Sequence, residues 1–191
     1  MHLYLSTSTP WNANYCLPEG QVIYKVQDAG STFGPRHFKV SRVVPPAIDP
    51  FADEIEDAAF QDTFERVGEV EYRHFGTSRV KFGEKEESIN TFFKKGEKAN
   101  FLKDRIFVGS DGREYKWKLN KKDCELFLND TNTLVALYRP RKTSYATGPQ
   151  PATLDIFQQG CHIADLIVVT FTYIERVRYE AERAAKRGGG M

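Results

Sequence analysis

Apolar and polar residues alternate in short runs along the chain as far as residue 158. In 21–27, Val22, Tyr24 and Val26 alternate with polar or mixed neighbours, and in 37–44 Phe38 and Val40 do the same. A period of two puts alternate side chains on one face, the mark of a strand with one side buried. The run 67–75 alternates less cleanly through Val70, Tyr72 and His74. Runs at 105–108 and 114–119 flank Gly109, Ser110, Asp111 and Gly112. Gly and Asp tolerate positive φ, so this is a hairpin turn. Further strands are predicted at 124–128, 134–139 and 154–158. Strands spaced by about ten residues point to a sandwich or barrel rather than to alternating strands and helices.

Two segments break the pattern. Residues 44–59 hold Pro45, Pro46 and Pro50 and the acids Asp53, Glu54, Glu56 and Asp57, and read as a surface loop. Residues 139–153, with Pro140, Gly148, Pro149 and Pro151, read as a second exposed loop.

The last segment, 160–187, has no Gly or Pro after its first residue. From Ile163 to Ile174 it is apolar nearly all round; from Glu175 it carries spaced opposite charges. Arg178 with Glu182, and Glu182 with Lys186, stand at i,i+4 and support a helix. Ala181, Ala184 and Ala185 favour it as well. Against this, Val169, Thr170, Phe171, Thr172 and Tyr173 are β-branched or aromatic and alternate like a strand. No turn signal separates the halves, so one continuous helix is the preferred reading. Its apolar stretch is shorter than the ~20 residues that span a bilayer. A helix apolar on every face must be enclosed by protein, and a closed or nearly closed β structure would do that. Leu166, Ile167, Val169, Phe171 and Ile174 are therefore expected inside, with Arg178, Glu182 and Lys186 in solvent.

Composition narrows this further. At 191 residues, with 40% apolar and 28% charged residues, the chain suits one globular domain, taken as 1–187 with a disordered tail at 188–191. Its 14 Phe and 9 Tyr favour half-buried strands. A net charge of +1 argues against a nucleic-acid partner. Cys16, Cys124 and Cys161 are widely spaced with no CxxC, and the start of the chain lacks a basic, then apolar, leader. These features predict a cytoplasmic protein with free thiols and no transmembrane segment. On the same reading the sequon at Asn129 is a chance match.

Candidate chemistry is sparse. From 94 to 122 there are ten Lys or Arg against four acids, a local balance of +6. Lys116 and Lys118 flank Trp117 on one face of a strand, and Arg139, Arg141 and Lys142 could join them. Arg makes forked hydrogen bonds to phosphate oxygens. The plainer reading is that strands place Lys outward to keep their edges soluble. From 53 to 71, eight acids face one Arg; with no calcium-loop spacing, this reads as a solvated loop. Cys161 and His162 are adjacent, but neighbours point apart, and a buried structural Cys is expected. His2, His37 and His74 form no metal motif, and no phosphate loop, dinucleotide fingerprint or nucleophile elbow occurs. No catalytic residue, metal or cofactor is assigned.

Five groups of residues carry a resemblance. They are Asn14, Pro18, Gly20, Tyr24 and Lys25; Arg105–Ile106–Phe107 with Asp111, Gly112, Arg113, Tyr115 and Trp117; Val135, Ala136, Tyr138 and Arg139; Leu154 and Ile156; and Asp165 with Ile167 to Thr170. In these the chain resembles an uncharacterised fungal domain family grouped with the tubby C-terminal and phospholipid scramblase-like fold. The resemblance implies an antiparallel β-barrel, tubby-like, enclosing a long apolar C-terminal α-helix. It further implies a non-enzymatic binding module for anionic phospholipid headgroups, phosphoinositide-like, peripheral at a membrane surface. Lys116, Lys118, Arg139, Arg141 and Lys142 are the candidate anion-binding residues. Two other readings stay open: a small enzyme or ligand carrier using a barrel pocket, and a protein-interaction module.

Overall fold

The computed structural model describes residues 1–30, 34–44, 63–96, 102–144 and 148–188. Most of the acidic loop (45–59), Asp62, Glu97 and Lys98 of the charged clusters, and the last three residues lie outside the described residues. Along the chain come β1 (His2–Leu5), β2 (Ala13–Cys16), β3 (Val22–Asp28), β4 (Arg36–Val44) and β5 (Thr63–Tyr72). Then follow β6 (Arg79–Phe82), β7 (Lys85–Ser88), a one-turn helix α1 (Ile89–Phe92), β8 (Lys94–Lys95), β9 (Arg105–Val108) and β10 (Glu114–Leu119). After these are β11 (Cys124–Leu128), β12 (Leu134–Arg139), β13 (Lys142–Ser144), β14 (Gly148–Gln150) and β15 (Thr153–Ile156). A 3-10 segment, Gln158–Ile163, leads into the long helix α2 (Ala164–Gly188).

Thirteen of these strands form one antiparallel sheet in the order β7-β6-β5-β4-β3-β2-β1-β15-β12-β11-β10-β9-β8. The strand β15 joins the two meanders, pairing with β1 on one side and β12 on the other. The expected closed barrel is met as a continuous sheet with two ends, since the strand pairing does not join β7 to β8. These end strands are short, and α1 carries the chain from one to the other.

The hydrophobic pattern explains the inner face. In β10, Tyr115, Trp117 and Leu119 are buried while Glu114, Lys116 and Lys118 point out; in β11, Cys124, Leu126 and Leu128 are buried in register with them. Gly109 N–H bonds to Arg113 O at 2.8 Å to close the predicted β9–β10 turn, with Gly112 at φ 78°. The strands at 105–108, 114–119, 124–128 and 134–139 stand where the alternation places them. The region 139–153 is more ordered than a loop, since β13 and β14 pair there as a two-stranded arm.

The helix packs its first half against this inner face. Leu166, Ile167, Val169, Phe171 and Ile174 are buried as expected. Rings reach them from both halves of the sheet: Phe171 touches Trp117 and Tyr138, and Tyr173 touches Tyr72 and Phe93. The strand-like Val169–Tyr173 stretch is helical because burial outweighs propensity. Its hydroxyls are satisfied within the core: Thr170 and Thr172 donate to the carbonyls of Leu166 and Val168 at 2.8 Å, and Trp117 Nε1 donates to Thr170 at 3.1 Å. Opposite Val169 stands Gly68, where a Cβ would lie 2.6 Å from the valine; only glycine allows this approach.

One expectation is corrected. Arg178 is buried, 5% exposed, and forms a double hydrogen bond to buried Glu175 at 2.6 Å. Its guanidinium also donates to Lys121 O at 2.9 Å. The helix emerges one turn later than the switch to charge suggests, because the β10–β11 turn covers it. Lys186 is exposed, Glu182 half-buried, and the predicted i,i+4 pairs both form.

Register gives the sheet two ends. The connections at 6–12, 28–36, 73–78, 119–124 and 139–153 leave at the end where α2 exits. Those at 17–21, 83–84, 109–113 and 129–133 leave at the opposite end, where α2 enters.

Candidate functional site

At the exit end, Arg139 closes β12 in register with Thr153, which opens β15, and Thr153 in turn pairs with Tyr4 of β1. With His2, Pro140, Lys142, Gln150 and Pro151 these residues line a hollow of about 330 Å3. Arg139 and His2 are both held by Asp155, one on each carboxylate oxygen. A second hollow of about 230 Å3 adjoins it across Pro151, lined by Leu5, Ser6, Thr7, Arg141, Pro149 and Ala152. Arg141 and Lys142 are exposed, and neither has a side-chain partner among the described residues. Their extended backbone explains the placement: around Pro140 the chain turns out of the sheet, and the β13–β14 arm holds it there. The first hollow lies at the lower end of ligand-pocket sizes. It offers a guanidinium, an ammonium, an imidazole and the hydroxyls of Tyr4 and Thr153, with one carboxylate already engaged. Such a set can hold a phosphate-sized anion.

Lys116 and Lys118 line neither hollow. Lys118 lies over the Phe127 ring at 4.1 Å and reaches Asn132 Oδ1 at 3.4 Å, toward the entry end. Both lysines sit in electrostatic reach of Asp104, whose carboxyl is nonetheless raised by burial. The five candidates therefore separate into Arg139, Arg141 and Lys142 around the hollows, and two lysines on the wall of β10.

Three other polar clusters have structural partners. At the entry end, His162 Nε2 stands 2.8 Å from Asp111 Oδ2, and Tyr115 OH donates to the same oxygen at 2.7 Å. Burial works to raise the Asp111 carboxyl, but hydrogen bonds from His162, Tyr115 and the Arg113 N–H outweigh it and hold the group below its ordinary value. Beside this, Tyr24 OH and Arg42 bind Asp165 at 2.8 and 2.7 Å. Both clusters tie the start of α2 to the sheet. Cys161, expected to be buried, is exposed with its Sγ 3.4 Å from Phe157 O; the 3-10 turn faces it outward. The third cluster is Glu175, Arg178 and Cys124, whose Sγ lies 3.5 Å from Glu175 Oε2. Burial lifts the Glu175 carboxyl above its ordinary value although Arg178 pulls it down.

A larger cleft of about 720 Å3 lies between the two edges of the sheet, where β6 and β7 face β8 and β9, with Val80, Phe82, Phe92, Val108 and Leu166 among its lining. Among the described residues no group of three His, Cys, Asp or Glu is placed to hold a metal ion, and no helix is long and apolar enough to cross a membrane.

The comparison with known families decides the affiliation. The chain belongs to a family of unknown function (DUF6593), matching it over residues 8–180. No curated protein and no solved structure matches the chain. The family span takes in every strand from β2 to β15 and α2 as far as Glu180, so it covers the sheet, the buried half of the helix and both hollows apart from the residues that precede it.

His2, Tyr4 and Thr153 were missed from the sequence. The only signal for His2 and Tyr4 was the alternating HLYL of 2–5, and Thr153 lies one residue before the strand predicted at 154–158; the pairing of β1 with residues about 150 positions away has no local trace.

Proposed function

We propose that the protein is a non-enzymatic binding module for anionic phospholipid headgroups, phosphoinositide-like, working at a membrane surface. The observation that carries this reading is the exit-end hollow. There Arg139, Lys142 and His2 line one cavity and Arg141 lines the next; Asp155 engages Arg139 and His2, and Arg141 and Lys142 have no carboxylate partner among the described residues. The sheet is read as a barrel of the tubby and scramblase-like kind, open at one seam. Support for that comes from rings of β5, β10 and β12 meeting around the same helix. A ligand carrier with a pocket inside the sheet is less favoured, because α2 with Phe171 and Ile174 occupies that space. Fold alone carries no function, so the reading rests on the hollow.

Co-sedimentation with vesicles of phosphatidylcholine, with and without a phosphoinositide, tests it. Binding is expected only with the anionic lipid, and Arg141→Glu with Lys142→Glu should abolish it. Lys116→Glu with Lys118→Glu should lose only general attraction, about 1 kcal/mol per charge. No binding at moderate salt, or binding unaffected by the Arg141 and Lys142 changes, sinks the proposal.

A further inference from the structure

At the tip of the β5–β6 connection Phe75 is 94% exposed, while Val108, the next most exposed large apolar residue among the described residues, is 49% exposed. A ring this far out contributes nothing to the core, and a lone exposed apolar residue needs no explanation on its own. The setting of Phe75 supplies one.

The loop that carries it is held on both sides. Ser78 Oγ accepts from the Arg73 N–H at 3.0 Å, the Arg73 side chain bonds Glu71 at 2.5 Å, and His74 packs edge-on against Tyr72 at 5.3 Å. Gly76, at φ 95°, turns the chain back immediately after the ring. The backbone thus presents Phe75 outward from a braced base.

The register places this loop at the same end of the sheet as the arm with Arg141 and Lys142, the β10–β11 turn with Lys121 and Lys122, and the exit of α2 with Arg183, Lys186 and Arg187. The acids at this end are largely engaged: Asp28 by Arg36, Glu71 by Arg73, Glu182 by Lys186 and Arg178, and Asp123 by Asn120. Lys121, Lys122, Arg141 and Lys142 have no carboxylate partner among the described residues. An apolar ring projecting from the same end of the sheet as unmatched cations complements an anionic bilayer: the cations meet the headgroups and the ring enters the acyl boundary.

We propose that the exit end is the membrane-facing surface and that Phe75 is its inserting residue. The proposal rests on the headgroup reading for its choice of partner, but the two fail separately. In a Phe75→Trp variant the new indole is read against the native Trp11 and Trp117, both buried. Vesicles of phosphatidylcholine with a phosphoinositide and bromine-labelled acyl chains should quench the new indole and leave the wild-type signal unchanged. Phe75→Ala should weaken vesicle binding by about tenfold, the equivalent of withholding most of one ring from an apolar phase. Its affinity for a soluble inositol polyphosphate should be unchanged. Should the new indole remain open to an aqueous quencher on vesicles, or Phe75→Ala bind them as tightly as the wild type, the insertion proposal is overturned. If Phe75→Ala weakens binding while Arg141→Glu with Lys142→Glu does not, insertion stands and the headgroup site falls. A loss of soluble-headgroup affinity in Phe75→Ala would also overturn insertion, since it would mean the loop shapes the hollow instead.

Discussion

Replacing Arg178 by Met tests the most consequential buried interaction in the fold. The guanidinium and the Glu175 carboxylate are 6% and 3% exposed at their side chains. They share two hydrogen bonds of 2.6 Å, and a third from Arg178 reaches Lys121 O at 2.9 Å. Methionine fills much of the space of the arginine stem but leaves the carboxylate with only the Cys124 thiol, 3.5 Å away. An exposed pair of this kind is worth about 0–1 kcal/mol. Breaking a buried one leaves an uncompensated charge, at about 3–5 kcal/mol. The second figure applies here, and it is a large share of the roughly 5–15 kcal/mol that holds a typical domain together.

The sign of the pH dependence follows from the carboxyl. Burial already raises Glu175 above its ordinary value of 4.5, against the pull of Arg178. Without Arg178 that pull is gone, and the neighbouring thiol and the Tyr138 hydroxyl add no positive charge. An acid with a raised folded-state pKa is stabilising below its unfolded value and loses that contribution as pH rises through the folded one. The variant should therefore be least stable at neutral pH and recover part of its deficit on acidification toward about pH 4.5. Guanidinium unfolding at several pH values, read as midpoint shifts at constant slope, measures this. Glu175→Gln combined with Arg178→Met should recover most of the loss at neutral pH, since no charge is then buried. A single-variant loss below about 1 kcal/mol, or a loss independent of pH, refutes the reasoning.

Two further predictions concern packing. Phe171→Ala empties a fully buried site against Trp117 and Tyr138 and should cost about 3–5 kcal/mol by the same unfolding assay; a cost under about 1 kcal/mol would mean that the ring is not enclosed. Gly68→Ala places a methyl 2.6 Å from Val169 and 2.8 Å from Lys81 O, and should cost about 1–3 kcal/mol. Shortening the opposing side chain with Val169→Ala should relieve part of that cost, and an additive double variant would show that the two do not touch.

The alternating runs placed β9 through β12 on either side of the Gly109–Gly112 turn, because one-sided burial imprints a period on local sequence. Trp117 is inside and Lys116 and Lys118 are outside for that reason. The helix was legible instead from its i,i+4 charge pairs, its alanines and the lack of any turn signal. The same local logic went wrong at Arg178. Its spacing to Glu182 is that of a surface pair, and the pair does form, but Lys121 closes over it from another strand connection. The short strands β6 and β7 left little trace, since their outward positions are charged and few residues face in. The candidate site was half legible. Arg139, Arg141 and Lys142 stand close together in sequence, so the β12–β13 connection keeps them close in space. Asp155 reaches Arg139 through the pairing of β15 with β12, and His2 and Tyr4 reach them only through the pairing of β1 with β15, a contact between strands about 150 residues apart. Composition and periodicity decide which face of an element is buried; which elements become neighbours is decided by the packing of the whole sheet around α2, and that is where both the hollow and the braced loop of Phe75 arise.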